Sequence, residues 1–80
     1  MKVAVLLFAR YREAAGMERV EVEVPSEATL AQVWDAVRAA VPDLRGETRP
    51  LLACDQSYAR PERVLRGGEE IAAFPPVSGG

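Results

Sequence analysis

The chain has 80 residues, of which 49% are hydrophobic and 28% charged, a composition typical of one small soluble domain with a single core. Ten basic and twelve acidic side chains give a net charge of -2, which argues against the backbone of a nucleic acid as the partner. Histidine is absent and cysteine occurs once, which excludes histidine-activated nucleophiles and metal sites built from histidine or paired cysteines.

The first part of the sequence predicts a strand, a short helix and a second strand. Lys2–Ala9 consists of apolar residues after Lys2 and contains no breaker, which is typical of a strand in the middle of a sheet. Arg10–Ala15 contains good helix formers and precedes Gly16, so one or two helical turns are expected there. Val20–Val24 alternates valine with glutamate, which predicts a strand with one exposed face.

A single long amphipathic helix is predicted between Thr29 and Val41. Thr29 and Gln32 have the spacing of a capping box at the start of a helix. Apolar residues then recur at helical intervals as far as Val41, and Pro42 ends the pattern. Trp34 lies on this apolar stripe, and we interpret it as an anchor of the core.

The second half predicts short strands connected by loops and a glycine turn. The segments are a loop at Pro42–Pro50, a strand at Leu51–Cys54, a turn or strand extension at Asp55–Tyr58, an apolar segment at Val64–Leu65, a glycine turn at Arg66–Glu69 and a strand at Glu70–Phe74. Cys54 lies within an apolar strand and is interpreted as a buried thiol. Glu69 and Glu70 lie beside the turn, and we interpret them as solvated side chains, not as an acid and base pair.

Together these elements predict an α+β domain in which one main helix packs against a mixed sheet of four or five strands. The unbroken apolar character of the first and last strands indicates that they are parallel neighbours at its centre, with Val5 close to Ala72. The longest apolar run, Val3–Ala9, is too short to cross a membrane and leads into Arg10, not a cleavage site. We therefore expect a cytoplasmic protein without a membrane partner.

The final stretch differs from the rest of the chain because it combines two prolines with two glycines. Pro75 and Pro76 favour an extended conformation that leaves the sheet, so we divide the chain into a domain at residues 1–74 and a tail at residues 75–80. This tail can reach about 20 Å at roughly 3.3 Å per residue. Gly79 and Gly80 carry no side chain that would obstruct a narrow channel. No catalytic constellation is evident elsewhere, so the terminal carboxylate is the candidate reactive group.

Three segments carry a resemblance to a known family. They are Leu7–Gly16, the glycine turn and strand start at Arg66–Ile71, and above all Phe74–Gly80. Over nearly its whole length the chain resembles the small, sulfur-carrying subunit of molybdopterin synthase, whose fold is a ubiquitin-like β-grasp. The specific part is Phe-Pro-Pro-Val-Ser before Gly-Gly, since Gly-Gly alone is shared with ubiquitin-like modifiers and the thiamine-pathway sulfur carrier. The chain departs from the family at Ala73, where a second aromatic residue is common, and at Gly68, where an acidic residue is common.

The resemblance implies that the carboxylate of Gly80 reacts and that Gly79 lets the tail enter a partner's active site. An E1-like adenylating enzyme would activate Gly80 with ATP and magnesium, and a sulfur donor protein would convert it to a thiocarboxylate. The thiocarboxylate would donate sulfur to a pterin precursor in the large synthase subunit, within a heterotetramer of two small and two large subunits. The chain is expected to bind no cofactor or metal and to be no enzyme on its own. Its only lysine is Lys2, so it lacks a phosphate-binding loop, and ATP belongs to the partner.

The resemblance also implies an exposed apolar surface that docks these partners. Its residues are Phe8, Tyr58, Phe74, Pro75, Pro76 and Val77. The residues alone leave burial of Phe8 and Phe74 in the core as an equal alternative, whereas Tyr58 is expected at the surface.

Three other functions are compatible with the sequence. The chain can carry sulfur for thiamine or another pathway, or it can be a ubiquitin-like modifier that joins Gly80 to a lysine amine of a target protein. A third alternative, from a different class, is a β-grasp interaction domain whose tail does not react.

Overall fold

Residues 1–76 of the chain are described by a computed structural model. They contain five strands, two α-helices and one 3₁₀ helix. In chain order these are β1 (Lys2–Leu7), α1 (Arg10–Ala15), β2 (Arg19–Glu23), α2 (Leu30–Ala40), the 3₁₀ helix (Pro42–Leu44), β3 (Leu51–Cys54), β4 (Ser57–Ala59) and β5 (Ile71–Phe74). The longest helix in this part of the chain has 11 residues, and none there is long and apolar enough to span a membrane.

The strands form one mixed sheet in the order β2-β1-β5-β3-β4. β1 and β5 are parallel neighbours near its centre, with Val5 opposite Ile71 and Leu6 opposite Ala72. The other three pairs, β1 with β2, β3 with β4 and β3 with β5, are antiparallel. The predicted α+β arrangement and the predicted pairing of the first and last strands are therefore confirmed, and the sheet has five strands.

The main helix α2 begins at the predicted capping box. The side-chain oxygen of Thr29 accepts a hydrogen bond from the Gln32 N–H at 3.2 Å, and the Gln32 side chain accepts one from the Thr29 N–H at 2.8 Å. These two bonds satisfy donors that would otherwise lack partners at the start of a helix. The helix ends at Ala40, and Pro42 starts the 3₁₀ helix within the segment predicted as a loop.

The two faces of the sheet have different surroundings. On one face, alternate strand residues such as Val5, Leu7 and Ile71 are buried in a single core together with the apolar side of α2. Trp34 belongs to this core, as predicted, and its ring lies edge-on to that of Tyr11 with centroids 5.4 Å apart. We call this side the helix-covered face and the opposite side the open face.

The structure adds detail at the end of β1 and at the apolar segment Val64–Leu65. β1 ends at Leu7, two residues earlier than predicted, because Ala9 has a φ of 52° and turns the chain into α1. Val64–Leu65 forms no strand of its own, since Val64 makes only an isolated bridge to Thr29 while Leu65 is buried in the core.

Candidate functional site

A row of apolar and aromatic side chains crosses four strands on the open face. Leu6 lies opposite Ala72, Ala72 opposite Ala53, and Ala53 opposite Tyr58. Paired residues of neighbouring strands project from the same face of a sheet. The two alanines are short, so the centre of the row is a shallow depression between larger side chains.

Three aromatic rings border this depression. Phe8 and Phe74 stack with their centroids 4.5 Å apart and their planes at 10°, and Tyr58 meets Phe74 edge-on at 6.1 Å and 75°. Phe8 is 37% exposed, Tyr58 is 71% exposed and Phe74 is half-buried. We call these three residues the aromatic patch. The structure therefore brings together the three aromatic residues named by the resemblance and places them outside the helix-covered core.

The backbone around Phe8 holds its ring in this position. The Phe8 N–H donates a hydrogen bond to the Ala73 carbonyl at 3.2 Å, and the Phe8 carbonyl accepts one from the Tyr11 N–H at 3.1 Å. Ala9 then adopts φ 52° and ψ -126°, a combination that costs free energy for a residue with a Cβ. Phe8 is thus tied to β5 on one side and to α1 on the other.

The predicted tail begins beside the aromatic patch. Phe74 is the last residue of β5, and after it Pro75 is half-buried and Pro76 is exposed. Strand β5 therefore leads directly from the centre of the sheet, through the patch, to the predicted lead-in. The other predicted tail residues, Val77, Gly79 and Gly80, lie outside the described residues.

The glycine turn before β5 is closed by Glu69, a role that the interpretation of this side chain as solvated did not include. Its carboxylate accepts hydrogen bonds from the N–H groups of Arg66 at 2.8 Å and Gly67 at 2.7 Å. The bond from Arg66 and, less strongly, the bond from Gly67 lower the pKa of Glu69, although partial burial opposes them. Glu70 is exposed, and its backbone N–H donates to the Asp55 carboxylate at 3.0 Å.

Within residues 1–76, two groups have raised pKa values, and both are buried and belong to the fold. Cys54 is 1% exposed, as predicted, and burial raises the pKa of its thiol. A thiol in that state is a poor nucleophile at neutral pH. Burial also raises the pKa of Tyr11, whose hydroxyl donates a hydrogen bond to the Thr48 carbonyl at 2.8 Å. Neither residue adds a reactive group to the open face.

The sequence reasoning missed the residues that make the aromatic patch accessible. Ala53 and Ala72 leave space beneath the rings, and Leu51 lies opposite Phe74 with 41% of its surface exposed. The sequence does contain a signal for their exposure. These residues occupy alternate positions in β3 and β5, and alternate residues of a strand share one face, here the face that α2 does not cover. That signal needs the pairing of the two strands, which the sequence alone did not provide.

Comparison with known proteins agrees with this architecture. The model of the ThiS family matches residues 5–80 of the chain. A relative from Chlamydomonas reinhardtii, named molybdopterin synthase sulfur carrier subunit, is 35% identical over 83 residues, and the alignment covers 100% of both chains.

Solved structures agree on the fold. The crystal structure of SAMP1, small archaeal modifier protein 1, from Haloferax volcanii has a TM-score of 0.87 at 30% identity and covers 100% of both chains. A putative molybdopterin converting factor subunit 1 from Pyrococcus furiosus has a TM-score of 0.82 at 26% identity, over 96% of this chain and 99% of its own. The ubiquitin-like β-grasp implied by the resemblance is confirmed.

Proposed function

The chain belongs to the ThiS family, and from this membership we propose that it carries sulfur for the synthesis of molybdopterin. The relatives named molybdopterin synthase sulfur carrier subunit, which match the whole chain at 33% to 36% identity, support this pathway over the others. The chain is then a sulfur-donating subunit of a larger enzyme and provides no catalysis on its own.

The observation that carries the proposal is the position of the aromatic patch at the end of β5. Exposed stacked rings of this kind are typical of protein interfaces, because they bury a large apolar area at a low cost in side-chain entropy. The centroids of the Phe8 and Phe74 rings lie 4.5 Å apart. Phe74 is the last residue of β5 and immediately precedes Pro75 and Pro76. A partner that covers the patch, and with it the two prolines, therefore also receives the residues that follow Pro76, namely Val77, Ser78, Gly79 and Gly80.

The proposed chemistry takes place at Gly80 and is catalysed by other proteins. In an E1-like partner that binds ATP and magnesium, the Gly80 carboxylate attacks the α-phosphate and releases pyrophosphate. A sulfur atom from a donor protein, delivered at the oxidation level of hydrosulfide, then displaces AMP and leaves a thiocarboxylate. The thiocarboxylate sulfur attacks a carbon of a pterin precursor in the large subunit and displaces an oxygen substituent, whose C–O bond breaks. Water then cleaves the acyl C–S bond, which leaves the sulfur on the pterin and restores the Gly80 carboxylate. Gly79 keeps the tail narrow enough for these sites.

Partners and location follow from this chemistry. The large synthase subunit, an adenylating enzyme and a sulfur donor must each reach the same tail, so we propose that they use the aromatic patch in turn. A heterotetramer of two small and two large subunits is the proposed form of the synthase. Because the adenylating partner uses ATP, we propose that the protein acts in the cytoplasm.

The mass of the intact protein tests the proposed chemistry. Protein purified from its native host without reducing sulfur reagents should contain a fraction with one oxygen replaced by sulfur, located at Gly80 by fragmentation. Deletion of Gly79 and Gly80 should abolish molybdopterin synthesis in a strain that lacks its own carrier. Full activity of the truncated chain would contradict the proposal and favour a non-reactive interaction domain.

Complementation distinguishes the two sulfur pathways. The chain should restore molybdopterin synthesis in a strain lacking the small synthase subunit and should fail in a strain lacking the thiamine-pathway carrier. The opposite pattern would assign the chain to thiamine synthesis.

A second candidate function is attachment to other proteins, and one specific observation favours it. The Haloferax volcanii structure with a TM-score of 0.87 and 30% identity is named a modifier protein. In that case Gly80 forms an amide bond with a lysine amine of a target. Conjugates that require Gly80 on a denaturing gel of host extract, without a thiocarboxylate in the free protein, would establish this function instead.

A further inference from the structure

A second apolar feature lies near the β4 edge of the sheet, next to the aromatic patch. It is a groove of about 410 Å³, open to solvent, between α2 and the hairpin of β3 and β4. Trp34, Leu52 and Ala59 provide an apolar lining, while the exposed side chains of Leu51 and Tyr58 stand at its margin. Exposed apolar side chains around a concave surface are typical of interaction sites.

Two arginines, Arg38 and Arg49, line the groove and can donate hydrogen bonds to a ligand. The Nε atom of Arg38 is buried and has no hydrogen-bond partner within the described residues, and its guanidinium approaches Asp35 only to 4.0 Å. Arg49 lines the same groove and forms no ion pair within residues 1–76. The Arg38 side chain as a whole is 42% exposed, and Arg49 is exposed, so the outer N–H groups of both guanidinium groups can donate hydrogen bonds to an acceptor that enters the groove.

The acidic residues of the groove do not cancel this positive charge. Glu47 is held by Arg10 on α1, with 3.0 Å between their side-chain atoms, and only 22% of the Glu47 side chain is exposed. The Asp35 side chain is 73% exposed, so its charge is largely screened by solvent. The groove therefore favours a ligand that combines an apolar group with a carboxylate.

A partly buried hydrogen bond and a ring contact hold one wall of the groove in place. The buried Tyr11 hydroxyl donates to the Thr48 carbonyl at 2.8 Å, which anchors the loop that carries Glu47 and Arg49. The Tyr11 ring also packs edge-on against Trp34. A site formed in advance loses little conformational freedom on binding.

The groove is continuous with the aromatic patch. Tyr58 borders both the groove and the depression beside Phe74, and Leu51 on the margin of the groove lies opposite Phe74 in the sheet. One protein can therefore cover both surfaces at once. The groove is open to solvent, which suits a surface segment of that protein better than an enclosed small molecule.

We propose that this groove is a second docking site, which binds an extended segment of the large synthase subunit that carries an apolar side chain and a carboxylate. The apolar side chain packs on Trp34 and Leu52, and the carboxylate accepts hydrogen bonds from Arg38 and Arg49. This inference rests on the proposed function, because it assigns the groove to the large synthase subunit, one of the partners proposed for the aromatic patch.

Isothermal titration calorimetry with the purified large subunit from the same organism tests the inference. Arg49→Glu should weaken binding about ten-fold, because it places two carboxylates together in the groove. Arg49→Gln should give a smaller loss, and the affinity of the wild type should fall more steeply with salt than that of Arg49→Glu. The matched control is Arg19→Glu on the opposite edge of the sheet, which should change the affinity by less than about two-fold.

The possible outcomes separate the inference from the function on which it rests. If the wild type binds the large subunit and Arg49→Glu binds as tightly as Arg19→Glu, the groove is not a docking site, although the proposed function stands. A groove that binds only a small free anion would give this same result, and the inference would be overturned in that case too. If the wild type does not bind the large subunit, the proposed function fails and the inference fails with it. Thermal unfolding of each variant identifies any loss that comes from misfolding.

Discussion

The helix-covered face and the open face of the same sheet perform different tasks. In β5, Ile71 and Ala73 are completely buried. The two residues that alternate with them, Ala72 and Phe74, are only half-buried. In β1, Val5 is completely buried while its neighbour Leu6 lies on the open face. A strand thus alternates between residues that stabilise the domain and residues that are available to a partner, because successive side chains point to opposite faces.

The difference between the two faces lies in side-chain size as well as in burial. The helix-covered face is filled with branched aliphatic residues that pack against α2. The open face has alanines at its centre and aromatic rings at its border, so the apolar surface there remains accessible. Substitutions on the helix-covered face should therefore lower the stability of the domain, and substitutions on the open face should weaken its binding to a partner.

The largest effect on stability is expected from Ile71→Ala on the helix-covered face. Ile71 is fully buried between strands at the centre of the sheet, so its truncation should lower the free energy of unfolding by about 2–5 kcal/mol. Urea denaturation followed by Trp34 fluorescence measures this loss. Phe74→Ala in the same strand is the comparison and should cost less, because Phe74 is already partly exposed. Equal losses would show that the open face contributes to the core.

The largest effect on binding is expected from Phe8→Ala on the open face. Loss of the stacked ring should weaken binding to the large synthase subunit by about 2 kcal/mol, as is typical of a central aromatic residue in an interface. Met17→Ala is a matched control, since Met17 is 39% exposed and Phe8 is 37% exposed. Titration calorimetry should show a normal affinity for the control. Similar losses of affinity in both variants would contradict the proposal that the aromatic patch is the docking surface.

The difference between the two faces also explains how much the sequence could predict. Periodicity and the capping box were sufficient for α2 and for the main strands, because a helix or a strand is defined by local patterns. The parallel pairing of β1 with β5 followed from their unbroken apolar runs. The registers Leu6 with Ala72 and Ala72 with Ala53, which form the centre of the open face, join segments far apart in the sequence and were not predictable.

The candidate site was predicted unevenly for the same reason. The residues left Phe8 and Phe74 undecided between core and surface, and only the structure shows the two rings stacked outside the core. The role of Glu69 was missed because a carboxylate beside a turn is usually solvated, and its bonds to Arg66 and Gly67 depend on the geometry of the turn. The groove beside Trp34 was also missed, since it forms where α2 and β4 diverge.

A smaller effect on stability is expected from removing a single hydroxyl group. Tyr11→Phe deletes the hydrogen bond to the Thr48 carbonyl but keeps the ring against Trp34, so the expected loss is about 0.5–1.5 kcal/mol. Tyr58→Phe removes the same group on the open face, where 71% of the side chain is exposed, and should change stability by less than about 0.5 kcal/mol. Urea denaturation compares the two variants. A larger loss in Tyr58→Phe would show that the open face depends on its hydroxyl group.

The smallest effect concerns the turn that brings β5 into the sheet. Its position matters for both faces, because a shift of β5 by one residue would exchange the side chains that face α2 with those on the open face. Hydrogen bonds from Arg66 and Gly67 lower the pKa of Glu69 in the folded state, so its contribution to stability is present above the ordinary glutamate pKa of about 4.3. That contribution is lost as the pH falls through the lowered pKa.

Glu69→Gln should therefore be less stable than the wild type near neutral pH, and the difference should shrink as the pH falls below about 4.3. Glu70→Gln is the matched control, because it removes the same charge from the adjacent exposed position. Thermal unfolding of all three proteins between neutral and acidic pH provides the comparison. The pH dependence of Glu70→Gln should follow that of the wild type. If the stability difference of Glu69→Gln is instead constant across the range, the carboxylate does not stabilise the turn through its charge, and its shape alone holds β5 in register.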